Sequence, residues 1–386
     1  LPQIFVSRRE TVSNRVPRTG EVSVPVADLR AAGFDDEVEK VGTAVAGYLD
    51  DGVGGNVAVV SEPYAGREGL LAYAQSLLDN EARWVALEPD AADGRGPALP
   101  DPPAETDGES PENEDEGTAG EVDETSATGQ AGALIVADCH YLFERRIDGF
   151  AALDAFLDRI ALSDALVVTS WNRYAWSYLD AVRDVGDTFT TTVEIPPLDA
   201  AEIRTVLEHH YDDRPDVVDA GGAGRVKTVV FDEASVPLPA GRSVGVPYPK
   251  PNPAWTASWS VSGVEESVEA VVFEKLRRVS HGNPGVAMAV WKESVRDGEI
   301  APGYVEAFDT DLALDDDAAA VLWSVLAAER VGVARLNALF PERPVEAVLQ
   351  NLAERGLVTV ADGVVAVAPR ALHLAVAALE RRNMIW

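Results

Sequence analysis

The chain has 386 residues, enough for two or three domains with a substantial core. It carries 65 acidic and 32 basic side chains, a formal net charge of -33, and this acidity is typical of halophilic proteins, whose hydrated carboxylates are screened by concentrated salt. The single cysteine excludes an intramolecular disulfide, and no run of 18 apolar residues is present that could span a membrane. Because the first ten residues also do not have the apolar stretch of a signal peptide, we expect a cytoplasmic protein.

The N-terminal half predicts apolar strands that alternate with helices. Apolar side chains repeat at helical spacing over 35–50, and a strand, a turn and a second helix follow within 56–78. Fully apolar strands joined by helices indicate a parallel sheet covered on both faces. The five predicted strands are 57–60, 83–88, 132–138, 165–170 and 190–195, and further helices are predicted from 150 to 160 and from 173 to 182.

One segment of this half differs from the rest in composition. Residues 100–124 carry eleven acidic side chains and no basic one, and no aromatic residue lies between Trp84 and Tyr141. Such a stretch cannot bury enough apolar surface to order itself. We therefore predict a disordered acidic insertion at about 91–131.

A helical region begins after Pro197. Asp199 followed by Glu202 is a capping-box arrangement at a helix start, and Asn283 followed by Pro284 predicts a second capped helix. Between them, residues 212–264 are predicted to be rich in loops, with a helix resuming at 265–280. This region, 196–310, is predicted to be a helical lid on the core formed by 1–195.

The last part of the chain, 311–386, has a third pattern. Three helical segments are followed by two β-rich runs around Asp362 and Gly363. Three helices and a hairpin in this order predict an α+β winged-helix domain.

The turn after the first strand, residues 61–68, reads SEPYAGRE where a phosphate-binding loop has the pattern G-x-x-x-x-G-K-[ST]. Gly66 and the following helix N-terminus keep the form of an anion pocket. Arg67 keeps the positive charge of the lysine with a bulkier, planar group. Glu68 replaces the hydroxyl that ligates magnesium, so a carboxylate would lie beside the phosphates. Two such like charges ~4 Å apart repel by about 4 kcal/mol at an effective dielectric near 20.

The succession of these elements resembles the P-loop ATPases of the AAA+ and STAND type, including archaeal and origin-recognition initiators that end in a winged helix. The resemblance covers residues 35–386 apart from the insertions. It implies a five-stranded parallel P-loop NTPase core, a site for ATP or ADP with Mg²⁺, and a protein partner or homo-oligomer. It places Cys139 where a catalytic acid often follows. The nucleotide-binding residues that it implies are Gly66, Arg67 and Glu68 of Walker A, Asp138 of Walker B as the metal ligand, Ser170 and Asn172 at the sensor-1 position, and Asn283 and Pro284 near the adenine.

The residues leave three interpretations of function open. The chain is a regulatory or scaffolding switch with a degenerate nucleotide site, a winged-helix DNA-binding regulator that keeps the ATPase fold as scaffold, or an active ATPase completed by a partner. The turn at 61–68 is correspondingly an unoccupied strand-helix turn, a slow nucleotide site or an active one. DNA contact through 315–386 is compatible with its charge of only -2, nine acidic against seven basic side chains, but the predicted recognition helix offers only Arg355.

Overall fold

The structure is a computed structural model that describes residues 24–52, 54–78, 82–87, 132–212, 214–218, 229–238, 242–251, 267–306 and 312–385. The predicted acidic insertion at 91–131 lies outside these residues. So do parts of the predicted loop-rich insertion.

The core is a five-stranded parallel sheet in the order β2-β3-β4-β1-β5, as the sequence predicts. Every residue of β1 and β4 is buried, because helices cover both faces of the sheet. The strands are β1 (Asn56–Ser61), β2 (Arg83–Ala86), β3 (Ala133–Ala137), β4 (Leu166–Asn172) and β5 (Thr191–Glu194). The helices of the core are α1 (Val26–Ala31), α2 (Asp35–Asp51), α3 (Arg67–Leu77), α4 (Ala151–Ala161) and α5 (Arg173–Arg183).

The strand register brings the carboxyl ends of β1, β3 and β4 to one edge of the sheet. Ser61 at the end of β1 pairs with Asn172 at the end of β4. The backbone N–H of Asp138, which follows β3, donates to Ser170 Oγ at 2.9 Å. Ligands of open parallel sheets bind at this edge, so it is where the predicted site residues can meet.

Three helices form the lid, namely α6 (Ala200–His210), α7 (Val268–Ser280) and α8 (Pro284–Ser294). Both predicted caps are confirmed. Asp199 Oδ1 accepts from the backbone N–H of Glu202 at 2.9 Å while Glu202 Oε2 accepts from that of Asp199 at 2.7 Å. Asn283 accepts from the backbone N–H of Val286 at 3.1 Å, with Pro284 in the first helical turn.

The prediction of loops over 212–264 is wrong for a large part of this insertion. Strands β7 (Val229–Leu238) and β8 (Arg242–Pro251) form an antiparallel hairpin, and β6 (Asp216–Val217) pairs with β9 (Glu299–Ile300). Proline argues against a central strand, but in this two-stranded sheet both strands are edges, where the missing N–H of proline is tolerated.

The C-terminal domain has the predicted winged-helix architecture, with one strand that the sequence did not indicate. Its sheet has the order β10-β12-β11, and the three-residue β10 between the first two helices is too short to give a pattern. A further helix ends the domain. The elements are α9 (Asp316–Ala328), β10 (Arg330–Gly332), α10 (Val333–Leu339), α11 (Val345–Glu354), β11 (Val358–Ala361), β12 (Val364–Val367) and α12 (Leu372–Glu380).

The short helix α1 connects the core to the lid. Asp28 is buried, and its carboxylate contacts Nδ1 of both His209 and His210, at 2.6 and 2.8 Å. These contacts satisfy a carboxylate that would be costly to bury alone. None of the helices in the described part of the chain has the length and hydropathy needed to cross a membrane.

Candidate functional site

The turn after β1 leads into the N-terminus of α3, where the sequence predicts a phosphate-binding loop. Gly66 ends the turn with φ of 104°, a conformation that favours glycine, and α3 begins at the next residue. The outer side of this turn is covered by the N-terminal segment. A side chain on Gly66 would lie 2.9 Å from Val24 Cβ, and one on Gly69 would lie 2.6 Å from the Val24 carbonyl oxygen.

Arg67, at the position of the P-loop lysine, is 5% exposed and forms ion pairs with two carboxylates. Its Nη1 and Nη2 donate to Glu329 Oε1 and Oε2 at 2.7 and 2.5 Å, and Nη2 also lies 3.1 Å from Asp138 Oδ1. Burial alone would lower the pKa of Arg67, but Glu329 and Asp138 hold that pKa well above its ordinary value. The guanidinium is therefore charged in the protein interior, and the carboxylates of Glu329 and Asp138 balance its charge.

Glu329 comes from the C-terminal domain, just after α9. It adopts φ of 58° and ψ of -45°, a region that L-residues rarely occupy. Such conformations cost on the order of 1–3 kcal/mol and persist where surrounding contacts hold them. Here the contacts are those to Arg67 together with a hydrogen bond from Asn172 Nδ2 to Glu329 Oε1 at 2.9 Å.

Asn172, at the predicted sensor-1 position, connects the core to α9. Its Nδ2 also donates to the Leu326 carbonyl at 2.9 Å, while its Oδ1 accepts from the backbone N–H groups of Tyr174 and Ala175 as the N-cap of α5. Ser170, the other residue predicted there, is fully buried and supports the backbone of Asp138. Arg67 and Asn172 thus both donate to the Glu329 carboxylate, and Arg67 also pairs with Asp138.

Cys139 and His140 follow β3 and are both buried. Burial, together with the nearby charge of Asp138, raises the pKa of the Cys139 thiol well above its ordinary value. Burial lowers the pKa of His140, although Glu329 and Asp138 act in the opposite direction. A protonated thiol is a poor base, and the lowered pKa makes His140 a weaker base than an ordinary imidazole.

The other predicted residues, Asn283 and Pro284, lie on the lid side of the turn. Asn283 Nδ2 donates to the Pro63 carbonyl at 2.9 Å and to Glu62 Oε2 at 3.2 Å. A side chain on Gly285 would lie 2.2 Å from the Tyr64 carbonyl oxygen, so lid and turn pack backbone to backbone. The Tyr64 hydroxyl donates to the Val367 carbonyl at 2.6 Å, which fixes the same turn to the C-terminal domain.

These contacts bear on whether Mg²⁺ and a triphosphate fit the residues present. The guanidinium of Arg67 is already paired, Asp138 is one of its partners, and Glu68 adds a further negative charge nearby. In the described part of the chain no group of three or more His, Cys, Asp or Glu side chains is arranged to hold a metal. The donor set of this closed arrangement therefore does not fit a magnesium triphosphate.

Sequence reasoning did not identify Glu329. An arginine in place of the P-loop lysine indicates a planar, bidentate partner such as a carboxylate. However, 65 acidic side chains are candidates, and the partner is 262 residues away in the chain.

The sheet order β2-β3-β4-β1-β5 matches the core of a P-loop NTPase fold, and a helical lid and an α+β winged-helix domain follow it. No family model and no curated protein matches the sequence. Among solved structures, the chain is similar to the RuvB Holliday junction branch migration motor of Thermotoga maritima, with 13% identity, 89% of this chain and 94% of that chain covered, and a TM-score of 0.36. It is also similar to the ORC2 protein of Aeropyrum pernix (11% identity, 90% and 94% covered, TM-score 0.35) and to Cdc6p of Pyrobaculum aerophilum (11%, 97% and 97%, TM-score 0.33). Similarity at these values carries no conclusion on ligand or activity.

Proposed function

We propose that this chain is an AAA+/STAND-like P-loop protein with a degenerate nucleotide site, which acts as a regulatory or scaffolding module. Its C-terminal domain is docked where a nucleotide-binding relative would hold phosphate. The observation that supports this most directly is the bidentate ion pair between Arg67 and Glu329. In this view the P-loop has become a connection between domains.

A nucleotide that used Arg67 would have to displace Glu329 from it. Removing one partner from a buried ion pair costs about 3–5 kcal/mol, because the other charge remains buried and unmatched. Since 1.4 kcal/mol is about tenfold in affinity, the cost weakens nucleotide binding by roughly two to four orders of magnitude. The carboxylates of Glu68 and Asp138 add repulsion toward phosphate.

The alternative of an active ATPase completed by a partner is less well supported. Arg67 would have to leave Glu329 before it could contact phosphate, and the Cys139 thiol after Asp138 is buried and protonated. A partner would thus have to supply the base and also open the domain contact.

Isothermal titration with ATP and ADP in concentrated KCl, with and without Mg²⁺, tests the proposal. We expect no saturable binding to the wild-type chain. Glu329→Gln combined with Glu68→Thr weakens the competing pair and restores the hydroxyl, so measurable binding is expected there. Glu346→Gln, which removes an exposed carboxylate on α11, is the matched control and is expected to behave like wild type.

Two results would overturn the proposal. Wild-type binding of ATP in the micromolar range would show that the ion pair does not exclude nucleotide. Steady phosphate release that is lost in Asp138→Ala would favour the active ATPase instead.

A further inference from the structure

A cavity of about 300 Å³ lies between the P-loop turn, the lid and the last helix of the C-terminal domain. Its size is at the lower end of the range of small-molecule sites. Glu62 and His373 are among its lining residues, together with Ile195, Pro196 and Val376. The Arg67–Glu329 pair does not line it, so the cavity remains when the phosphate region is closed.

In the described part of the chain, the hydrogen-bond donors to the Glu62 carboxylate in the lining of this cavity are neutral. Its Oε1 accepts from the Tyr174 hydroxyl at 2.9 Å, and its Oε2 accepts from Asn283 Nδ2 at 3.2 Å. Among the ion pairs of the described residues, the basic group next to it is His373, with Nε2 3.9 Å from Glu62 Oε2. A carboxylate oxygen can accept two hydrogen bonds, so Oε2 has capacity for a further donor.

His373 presents a second acceptor at the same place. Its side chain is nine-tenths buried, and its Nε2 has no hydrogen-bond partner. Burial lowers the pKa of His373 to about 4 against the opposing charge of Glu62, so the ring is neutral near pH 7. With the ring proton on Nδ1, Nε2 is an acceptor that faces another acceptor 3.9 Å away. Buried polar groups usually have a partner, and His373 Nε2 has none in the described part of the chain.

We propose that this cavity binds a small aliphatic amine, whose ammonium group donates to both Glu62 Oε2 and His373 Nε2. One nitrogen at about 2.8 Å from each acceptor fits the 3.9 Å between them. The aliphatic part of the ligand would pack on Ile195, Pro196 and Val376. The site is separate from the Arg67–Glu329 contact, although Asn283 and Pro284, which are predicted to lie near the adenine, also line the cavity.

The charge of the lining favours a cation. The lining carboxylates are Glu62 and Glu380, and the one lining arginine, Arg173, is already paired with Glu194 at 3.4 Å. A ligand with an amine at each end matches two carboxylates, whereas phosphate would be repelled.

Entry to the buried Nε2 requires one side chain to move. The ring of His281 stacks on His373, with centroids 4.3 Å apart and planes inclined by 16°. His281 is exposed and lies at the left-handed C-cap of α7, so it can turn toward solvent without loss of core packing. We therefore expect His281 to change its side-chain conformation when a ligand enters the cavity.

Isothermal titration with 1,5-diaminopentane in concentrated KCl tests the proposal, with 1,5-pentanediol as the uncharged analogue. We expect saturable binding of the diamine to wild type and to Glu346→Gln, at least tenfold weaker binding to Glu62→Gln, and no binding of the diol. Thermal unfolding of Glu62→Gln checks that this variant is folded. In parallel, the ¹⁵N shift of His373 Nε2, assigned with His373→Gln, is expected to move on addition of the amine.

Three outcomes would overturn the proposal. The first is no diamine binding to wild type. The second is equal binding to wild type and Glu62→Gln, which would indicate general attraction to an acidic surface. The third is an unchanged ¹⁵N shift of His373 Nε2 on addition of the diamine. Titration with ATP separates this test from that of the proposed function, because failure to bind diamine leaves the Arg67–Glu329 contact untouched.

Discussion

Arg67 and Glu329 are separated by 262 residues and form a bidentate ion pair, with Nη1–Oε1 and Nη2–Oε2 distances of 2.7 and 2.5 Å. The arginine begins the helix after the P-loop turn, and the glutamate follows the first helix of the C-terminal domain. Lysine could not make both contacts, because only a guanidinium offers two parallel donors. The departure from the P-loop pattern at residue 67 and the carboxylate at residue 329 are therefore complementary.

We expect Glu329→Ala to lower the free energy of unfolding by about 3–5 kcal/mol. Arg67 would remain buried and would keep Asp138 as the one remaining carboxylate of its two ion pairs. Glu329→Gly is expected to lose about 1 kcal/mol less, since glycine relieves the backbone strain at φ of 58°. Urea denaturation at fixed salt measures both. The control is Glu194→Ala, which breaks an exposed pair with Arg173 and should cost less than about 1 kcal/mol. An equal loss in Glu329→Ala and Glu194→Ala would refute the argument.

A second prediction concerns the packing of Val24 on the P-loop turn. Gly66→Ala places a methyl group 2.9 Å from Val24 Cβ at φ of 104°, and the left-handed backbone alone costs about 1–2 kcal/mol. Gly47→Ala in α2, where nothing lies within 4 Å, should instead stabilise by roughly 0.5–1 kcal/mol. Thermal unfolding of the two variants measures the contrast. A neutral Gly66→Ala would mean that Val24 does not pack on the turn in solution.

The sheet and its order of elements could be predicted from the sequence because each strand is a continuous apolar run. All six residues of β1, for example, are buried, and helical spacing marks the segments between the strands. The caps at Asp199 and Asn283 could be predicted as well, since capping depends on residues three positions apart. Strand β10 could not, because three residues carry no period, and its partner Val364–Val367 lies more than thirty residues away.

The candidate site was predictable only in part. Gly66, Arg67, Asp138 and Asn172 follow strands of one parallel sheet, so topology alone brings them to one edge. The occupant of that edge is Glu329, whose position depends on how the C-terminal domain docks. Docking rests on contacts such as Tyr64 to the Val367 carbonyl, which leave no local sequence signal.

The third prediction concerns how the free energy of unfolding depends on pH. Folding lowers the pKa of His373 from 6.5 to about 4, so the unfolded chain binds more protons between these values. This contribution to stability is present above pH 6.5 and is lost as pH falls toward 4, by at most about 3 kcal/mol. Glu62 and His281 face the ring and are kept unchanged. The unfolding free energy of wild type should therefore fall more steeply between pH 6.5 and 4.5 than that of His373→Gln; parallel pH profiles would show that the ring is not buried in neutral form.

The fourth prediction concerns DNA. Arginines of the described C-terminal domain contact acceptors of this chain, for example Arg335 with Glu144 and Arg355 with the Ala313 carbonyl. Phosphate binding needs clustered cations that are free to release counterions, and the net charge of -33 opposes approach to a duplex. We expect no saturable retention of double-stranded DNA in fluorescence anisotropy, even at the lowest salt at which the chain stays folded. Salt-dependent binding that Arg355→Ala weakens would instead favour the winged-helix regulator, because that residue lies at the end of α11, the predicted recognition helix.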